Sequence, residues 1–507
     1  MSLRLFFKNP IIVYFFFFFF AYFWSLKIYF EFGADYGQYL AGSIFIDKDY
    51  RLYVDHFDNK GPFYYFFLKL VYSIFQSSYE NINLGLTFSL LIYFFPIIYL
   101  INRIFRNDQK YLKFFLYCIL CASVFGQSTN ASIFFFFNGL IFTSFIFLYL
   151  SLKNNSILNY ILGVTFFSLA LYTIIIAVFF LPVILYVFFI FFKKKQKVIN
   201  KLLLILSVSL IPIIILLVMK ISFDFTFYDF FENNILFNFF YNIEFYGQFT
   251  SFVININRKG HFIYLTSTVL IFFFLKIVYK YFINNFFKNL RSFNLEKILS
   301  KKNEIKNFAL LIFLCGFICE LAFNSDKSYY ILVLSGSILF STIILFERNF
   351  YLRIYKFLFP ILIYSLVLIT GPIFSKLLFN FDCIKNINCN RNFEFGFQEI
   401  ITENMIQNDD EKFTVIGGSR GWPHIFLNKK PAGSLINSFL YSGSFFYENE
   451  AFIKLHNKII SKNLEYIILE NRILDQKIKN KYLTEIINLK KDIFRYKKFS
   501  KITIKEN

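Results

Sequence analysis

The sequence is poor in the residues that build zinc sites and disulfide frameworks, with six Cys and four His in 507 residues. Cys118/Cys121 and Cys315/Cys319 lie inside apolar runs at helical spacing, where small core residues are expected. No Cys/His spacing matches a zinc site. Cys383 and Cys389 lie in the polar C-terminal part. A disulfide between them and two free thiols are both left open. Charge is scarce too. Charged residues make up 17% of the chain, against 57% hydrophobic residues and 81 Phe. That balance excludes an ordinary soluble domain and points to lipid as the solvent. A net charge of +21 suggests nucleic acid at first sight. The cations instead fill short loops between apolar runs, as expected of cytoplasmic loops beside anionic lipid, so no nucleic-acid partner is expected. No small-residue cleavage pattern follows the first apolar run, which therefore reads as an uncleaved helix.

Apolar runs at 10–30, 82–101, 114–125, 133–150, 157–192, 201–219, 261–282, 308–323, 329–346 and 357–374 predict about eleven transmembrane helices. The run 157–192 is too long for one helix and reads as two, broken near Tyr172 and Thr173. The aromatic segment 62–75 is too short to span and reads as an interfacial helix. Lys and Arg concentrate in loops 102–113, 193–201, 284–307 and 347–356. The positive-inside bias then places the N-terminus inside, and the insertions 31–81 and 220–260 outside, together with the tail.

The expected fold is therefore an α-helical polytopic membrane protein over 1–374, followed by a small extracytoplasmic α/β domain over 375–507. In the tail, FTVIGG (413–418) and LEYIILE (464–470) read as strands, with helical patterns at 393–407 and 473–487. GGSRG (417–421) lacks the full dinucleotide-binding pattern and reads as a tight turn.

The ionisable residues collect in one place. Asp35, Asp47, Asp49, Arg51, Asp55, His56, Asp58 and Lys60 all fall within the first outer insertion. Ionisable groups kept at a membrane surface are functional candidates. Asp35, just past the first span, reads either as a helix-flanking carboxylate or as a general base for a hydroxyl acceptor. A positioned base is worth about 10²–10⁴ in rate. Lys60, in DNKGPFYY, either neutralises Asp58 or holds the phosphate of a lipid-linked substrate, stabilising the charge that develops as it leaves. Gly61 and Pro62 would set the turn that presents it. Arg51 is a second candidate phosphate ligand. Asp47-Lys48-Asp49 has a spacing used to hold a metal against a diphosphate, and Asp55, His56 and Asp58 are candidate ligands for a divalent cation. No other cofactor is expected. In 220–260, Asp224, Asp229, Glu232 and Glu244 lie among aromatics, a composition suited to a sugar.

With these residues in view, the sequence resembles the GT-C class of polytopic glycosyltransferases, in particular the protein O-mannosyltransferase and aminoarabinose-transferase superfamily. The resemblance is carried by Asp35 after the first span with Tyr39 and Ala41, by DNKGPFYY, by KSYYILVL (327–334), and by VIGGSRGWPHIFLNKKPAG in the tail. It implies that Asp35 is the catalytic base and Lys60 the donor-phosphate ligand. It also implies substrate-positioning roles for Tyr39, His56, Asp58, Tyr329 and Tyr330. The chain departs from the pattern at Tyr36, where an acid is usual, and at Ser328 or Tyr329, where a His is usual.

The expected activity is transfer of a sugar from a polyprenyl-phosphate donor to an acceptor hydroxyl of a glycolipid, glycan or protein. It would occur with inversion, at the outer face of a bacterial cytoplasmic membrane. The leaving phosphate monoester is a stable anion, so one carboxylate and one cation suffice, unlike the carboxylate pair of a glycosidase. Two other classes compete. A lipid-linked sugar transporter would show midplane charges and internal repeats, and neither is seen. A cell-envelope polymerase or ligase would be expected to line its outer loops with cations, whereas these loops are rich in acids.

Overall fold

The computed structural model describes residues 9–29, 34–46, 50–56, 58, 60–76, 81–105, 110–125, 129–195, 197–236, 301–322, 331–346, 413–416, 422–427, 453, 456–457, 464, 466–470, 481–488, 490–496 and 499–504. The chain forms two compact units. The first comprises Met1–Ser25, Leu86–Leu216 and Phe245–Lys376, and the second Leu26–Gly85, Leu217–Glu244 and Leu377–Asn507.

The first unit is helical. Helix α1 (Pro10–Ser25) carries its run of six Phe, yet buries only one stripe, Val13, Phe17, Ala21 and Trp24. These residues recur at helical period, and Phe15, Phe16, Phe18 and Phe19 on the other faces are exposed. An apolar helix with an exposed apolar face has lipid as its natural solvent. Numbering onward, α4 is Leu84–Ile104, α5 Lys110–Phe125, α6 Ser132–Asn154, α7 Ile157–Leu171, α8 Leu181–Lys194 and α9 Val198–Phe223. Helix α6 is buried on nearly every side. It is the axis on which neighbours pack: Trp24 meets Phe135 edge-on at 5.6 Å, and Phe142 stacks on Phe340 of α12 (Ile331–Phe346) at 5.8 Å. Where α4 crosses α6, a Cβ on Gly139 would lie 2.3 Å from the carbonyl oxygen of Ile92, so the two backbones meet only because this residue is glycine.

The turn between α6 and α7 is written in two residues. Asn155 adopts the left-handed conformation at φ 53°, and the Ser156 hydroxyl accepts from the Asn159 amide at 3.3 Å. The break expected near Tyr172 and Thr173 is present: α7 stops at Leu171, a 3-10 turn covers Ile175–Phe180, and Pro182 opens α8. Helix α11 (Lys301–Ala322) packs on α12, and its buried Glu304 is paired with Lys194 Nζ at 2.6 Å. A carboxylate in such a place needs that partner.

By length and composition, five helical stretches among the described residues can cross a membrane: Pro10–Ile28, Leu84–Ile104, Ser132–Asn154, Ile175–Lys194 and Val198–Phe223. Helices also stand at the other expected spans within the described residues, but α5, α7 and α12 have only 16, 15 and 16 residues. The expected spans 261–282 and 357–374 lie outside the described residues.

The second unit contains α2 (Ala34–Phe45) and α3 (Pro62–Phe75), which pack together, and a short segment built on α10 (Phe227–Phe230). It also contains a four-stranded sheet in the order β1-β2-β4-β3. Strand β1 (Phe413–Ile416) runs parallel to β2 (Tyr466–Glu470), with Phe413 opposite Tyr466. Strand β4 (Phe499–Ile504) is antiparallel to both β2 and β3 (Lys490–Tyr496). The first two strands stand where the sequence places them, whereas the β3–β4 hairpin was not anticipated. Helices α13 (Trp422–Leu427) and α14 (Lys481–Asn488) complete the described part of the tail.

Candidate active site

Asp35 occupies the first turn of α2 and is half-buried. The free amides and macrodipole of a helix N-terminus favour negative charge there. The remainder of α2 is held from behind. The Tyr36 hydroxyl lies 3.0 Å from that of Tyr72 on α3, and both donate to the Ile82 carbonyl, at 2.9 and 2.7 Å. Tyr36, where the resemblance leads one to expect an acid, is thus a structural anchor. A Cβ on Gly42 would strike the Tyr65 ring and His56, so the close approach of α2 to α3 depends on that glycine.

The loop 50–61 brings Lys60 to the start of α3. Arg51 and Asp55 close a turn, with the Arg51 amide donating to Asp55 Oδ2 at 3.0 Å and the guanidinium 3.8 Å from the same oxygen. Tyr53 lies in the left-handed region at φ 66°, and its hydroxyl donates to the Lys60 carbonyl at 2.6 Å. The Lys60 amide donates to Asp58 Oδ1 at 3.2 Å. Gly61 is the extended N-cap of α3, and Pro62 fills its first position, where no amide is needed. The lysine backbone is therefore fixed on both sides. Lys60 itself is buried, and burial lowers its ammonium below the ordinary lysine value. The charges of Asp58 and then Asp35 oppose that shift.

The remaining candidates fall into three groups. Asp58 accepts a short hydrogen bond from the Tyr65 hydroxyl, and burial followed by the Asp58 charge keeps that phenol well above its ordinary range. His56 bridges two phenols, with Nδ1 3.4 Å from Tyr50 and Nε2 3.2 Å from Tyr65. Tyr39 is packed edge-on against Tyr64 and Tyr65, at 5.4 and 6.0 Å, inside the α2–α3 contact. Of the residues considered for a cation, Asp55 accepts from the Arg51 amide, whereas His56 and Asp58 both meet the Tyr65 hydroxyl. Among the described residues, no group of three or more His, Cys, Asp or Glu is placed to hold a metal ion. Asp47, Lys48, Asp49, Tyr329 and Tyr330 lie outside the described residues.

Two contacts at the site were not anticipated from the sequence. Trp422, fully buried at the start of α13, lies over α2: its ring is 6.3 Å from that of Tyr36, and its indole nitrogen is 2.6 Å from where a Cβ on Gly37 would stand. Trp422 lies within the segment VIGGSRGWPHIFLNKKPAG that carries the resemblance, but nothing in the sequence pairs it with Gly37. The second contact is made by the segment after α9. Phe225 and Phe230 meet the Tyr53 ring at 5.4 and 6.0 Å, and Asn233 Nδ2 lies 3.4 Å from the Tyr53 carbonyl.

No family model matches the chain, and no curated protein matches it. Among solved structures it is similar to the archaeal oligosaccharyltransferase AglB from Archaeoglobus fulgidus, in complex with an inhibitory peptide and a dolichol-phosphate. The identity is 11%, the likeness covers 91% of this chain and 70% of that one, and the TM-score is 0.39.

Proposed function

We propose that the chain is an integral membrane glycosyltransferase that moves a sugar from a polyprenyl-phosphate donor to an acceptor hydroxyl, with inversion, at the outer face of a bacterial cytoplasmic membrane. One observation supports this reading: the charge of Asp35, in the first turn of α2, acts with that of Asp58 to hold up the ammonium of the buried Lys60, before α3, against the lowering by burial. The apolar helices suit the protein to the bilayer in which a polyprenyl tail dissolves. The acceptor oxygen attacks the anomeric carbon and gives its proton to Asp35. The bond from that carbon to the phosphate oxygen breaks, and its electron pair leaves with the polyprenyl phosphate. The Lys60 ammonium stabilises the charge gathering on that phosphate. The site and the tail 375–507 face outward on this reading. The acceptor is a glycolipid, a glycan or a protein.

Asp35→Asn tests the reading. The change is nearly isosteric and removes only the base, so turnover per folded molecule is expected to fall by ~10²-fold or more with little change in KM. Near-normal turnover rules the assignment out. A lower melting temperature with full activity in the surviving protein would make Asp35 a structural residue instead.

A further inference from the structure

The segment after α9 contains a turn that the reaction above leaves unused. Thr226 and Asp229 form a reciprocal cap at the start of α10, the Asp229 amide donating to Thr226 Oγ1 at 3.1 Å and the Thr226 amide to Asp229 Oδ2 at 3.0 Å. The chain then widens into a π-turn over Phe231–Leu236. Such turns are rare and concentrate at functional sites. This one buries three polar side chains in succession, Glu232, Asn233 and Asn234.

The Asn233 amide has a defined direction. Its Nδ2 donates to the Asp229 carbonyl at 2.8 Å and faces the Tyr53 carbonyl at 3.4 Å. A flipped amide would set oxygen against both carbonyls, so Oδ1 must be the atom turned away from them. That oxygen belongs to a residue only 3% exposed and accepts no hydrogen bond among the described residues. A buried acceptor left unmatched costs about 1–3 kcal/mol, which is the usual sign of a missing donor. The same Tyr53 that Asn233 faces gives its hydroxyl to the Lys60 carbonyl. Through Nδ2 the Asn233 side chain therefore touches the loop that presents Lys60, while its orphaned oxygen, on the other side of the amide, is left for a further donor.

A carbonyl oxygen recognises hydroxyl groups and cannot recognise a phosphate oxyanion, which only accepts. We infer that Asn233, held by the π-turn, accepts a hydrogen bond from a hydroxyl of the donor's sugar and so distinguishes the loaded lipid from the spent one. This rests on the reading of the chain as a polyprenyl-phosphate-sugar transferase.

The test uses the purified full chain, loaded with lipid extracted from membranes of a strain lacking it. That extract contains undecaprenyl phosphate and its glycosylated forms, and mass spectrometry of the retained lipid gives their ratio. The wild type is expected to enrich a sugar-bearing species over undecaprenyl phosphate. Asn233→Ala is expected to keep undecaprenyl phosphate and lose that enrichment by roughly 10-fold or more. Asn233→Ser keeps a donor for the Asp229 carbonyl, four residues back, and lacks the oxygen on the far side, so it should lose the enrichment too and decides the matter where Asn233→Ala fails to accumulate. Unchanged enrichment in Asn233→Ala, or in a folded Asn233→Ser, overturns the inference. Failure of the wild type to retain any sugar-bearing lipid overturns the donor reading itself, an outcome distinct from a loss confined to the variants.

Discussion

Lys60 joins two requirements that usually conflict, a buried position and a positive charge. Burial lowers its ammonium, and the Asp58 and Asp35 carboxylates work against that shift. The folded chain therefore gives up this proton at a lower pH than the unfolded chain does. As pH rises through the folded value, the unfolded state holds more protons, so this residue adds stability on the alkaline side. Activity should move the opposite way, because the phosphate ligand is lost as the proton leaves. Turnover at limiting donor is expected to fall on the alkaline limb at a pH below the ordinary lysine value, and Lys60→Arg should move that limb upward, since a guanidinium stays charged. Lys60→Ala removes a charge-assisted contact of about 1.5–3 kcal/mol, so kcat/KM for the donor should drop roughly 10- to 100-fold. An alkaline limb that Lys60→Arg leaves in place would detach Lys60 from the donor. Asp35 and Lys60 were both legible in the sequence, because a polar insertion between apolar runs stands out by contrast alone. Asn233 was not, since nothing in FENNIL announces a π-turn.

Helices meet in this protein at glycines, and two of these contacts can be tested directly. On α2, Gly37 leaves the space that the Trp422 indole fills. Gly37→Ala forces that ring away and should cost about 1–3 kcal/mol, read as a lower melting temperature. Combining it with Trp422→Leu should cost less than the sum of the two single changes, because the smaller side chain clears the collision. Strict additivity would show that the two residues do not meet. In the first unit, Gly139→Ala drives a methyl against the Ile92 carbonyl, a backbone atom that cannot rotate aside. It should destabilise more than Gly163→Ala, where the added carbon comes closest to the Leu148 side chain, at 2.8 Å, and reaches a backbone oxygen, that of Ser144, only at 3.3 Å. Equal melting temperatures for the two variants would contradict this crossing of α4 and α6. The existence of most helices followed from apolar run length, but their partners did not, because a glycine in a sequence does not say which helix it admits. The β3–β4 hairpin was hidden for a related reason. Its strands, KKDIFRY and FSKITI, mix charged and polar residues with apolar ones and form no apolar run, and it is pairing that makes them strands, β4 with β2 and β3 with β4.

The topology of the whole chain is a matter of where its cations lie. A reporter active only outside the cytoplasm, fused after Asn507, is expected to be active, and a cytoplasm-dependent one silent. The opposite result would reverse the orientation of every segment beyond the break at Tyr172. The two Trp of the sequence have a use that neither the fold nor the reaction requires. Trp24 is in the first unit and Trp422 in the second, and both are buried. Trp422→Phe would leave tryptophan emission, excited at wavelengths that Tyr does not absorb, from Trp24 alone, and Trp24→Phe the converse. Each unit thus carries its own fluorophore, and a denaturant titration of the two variants would show whether the units melt together or in turn.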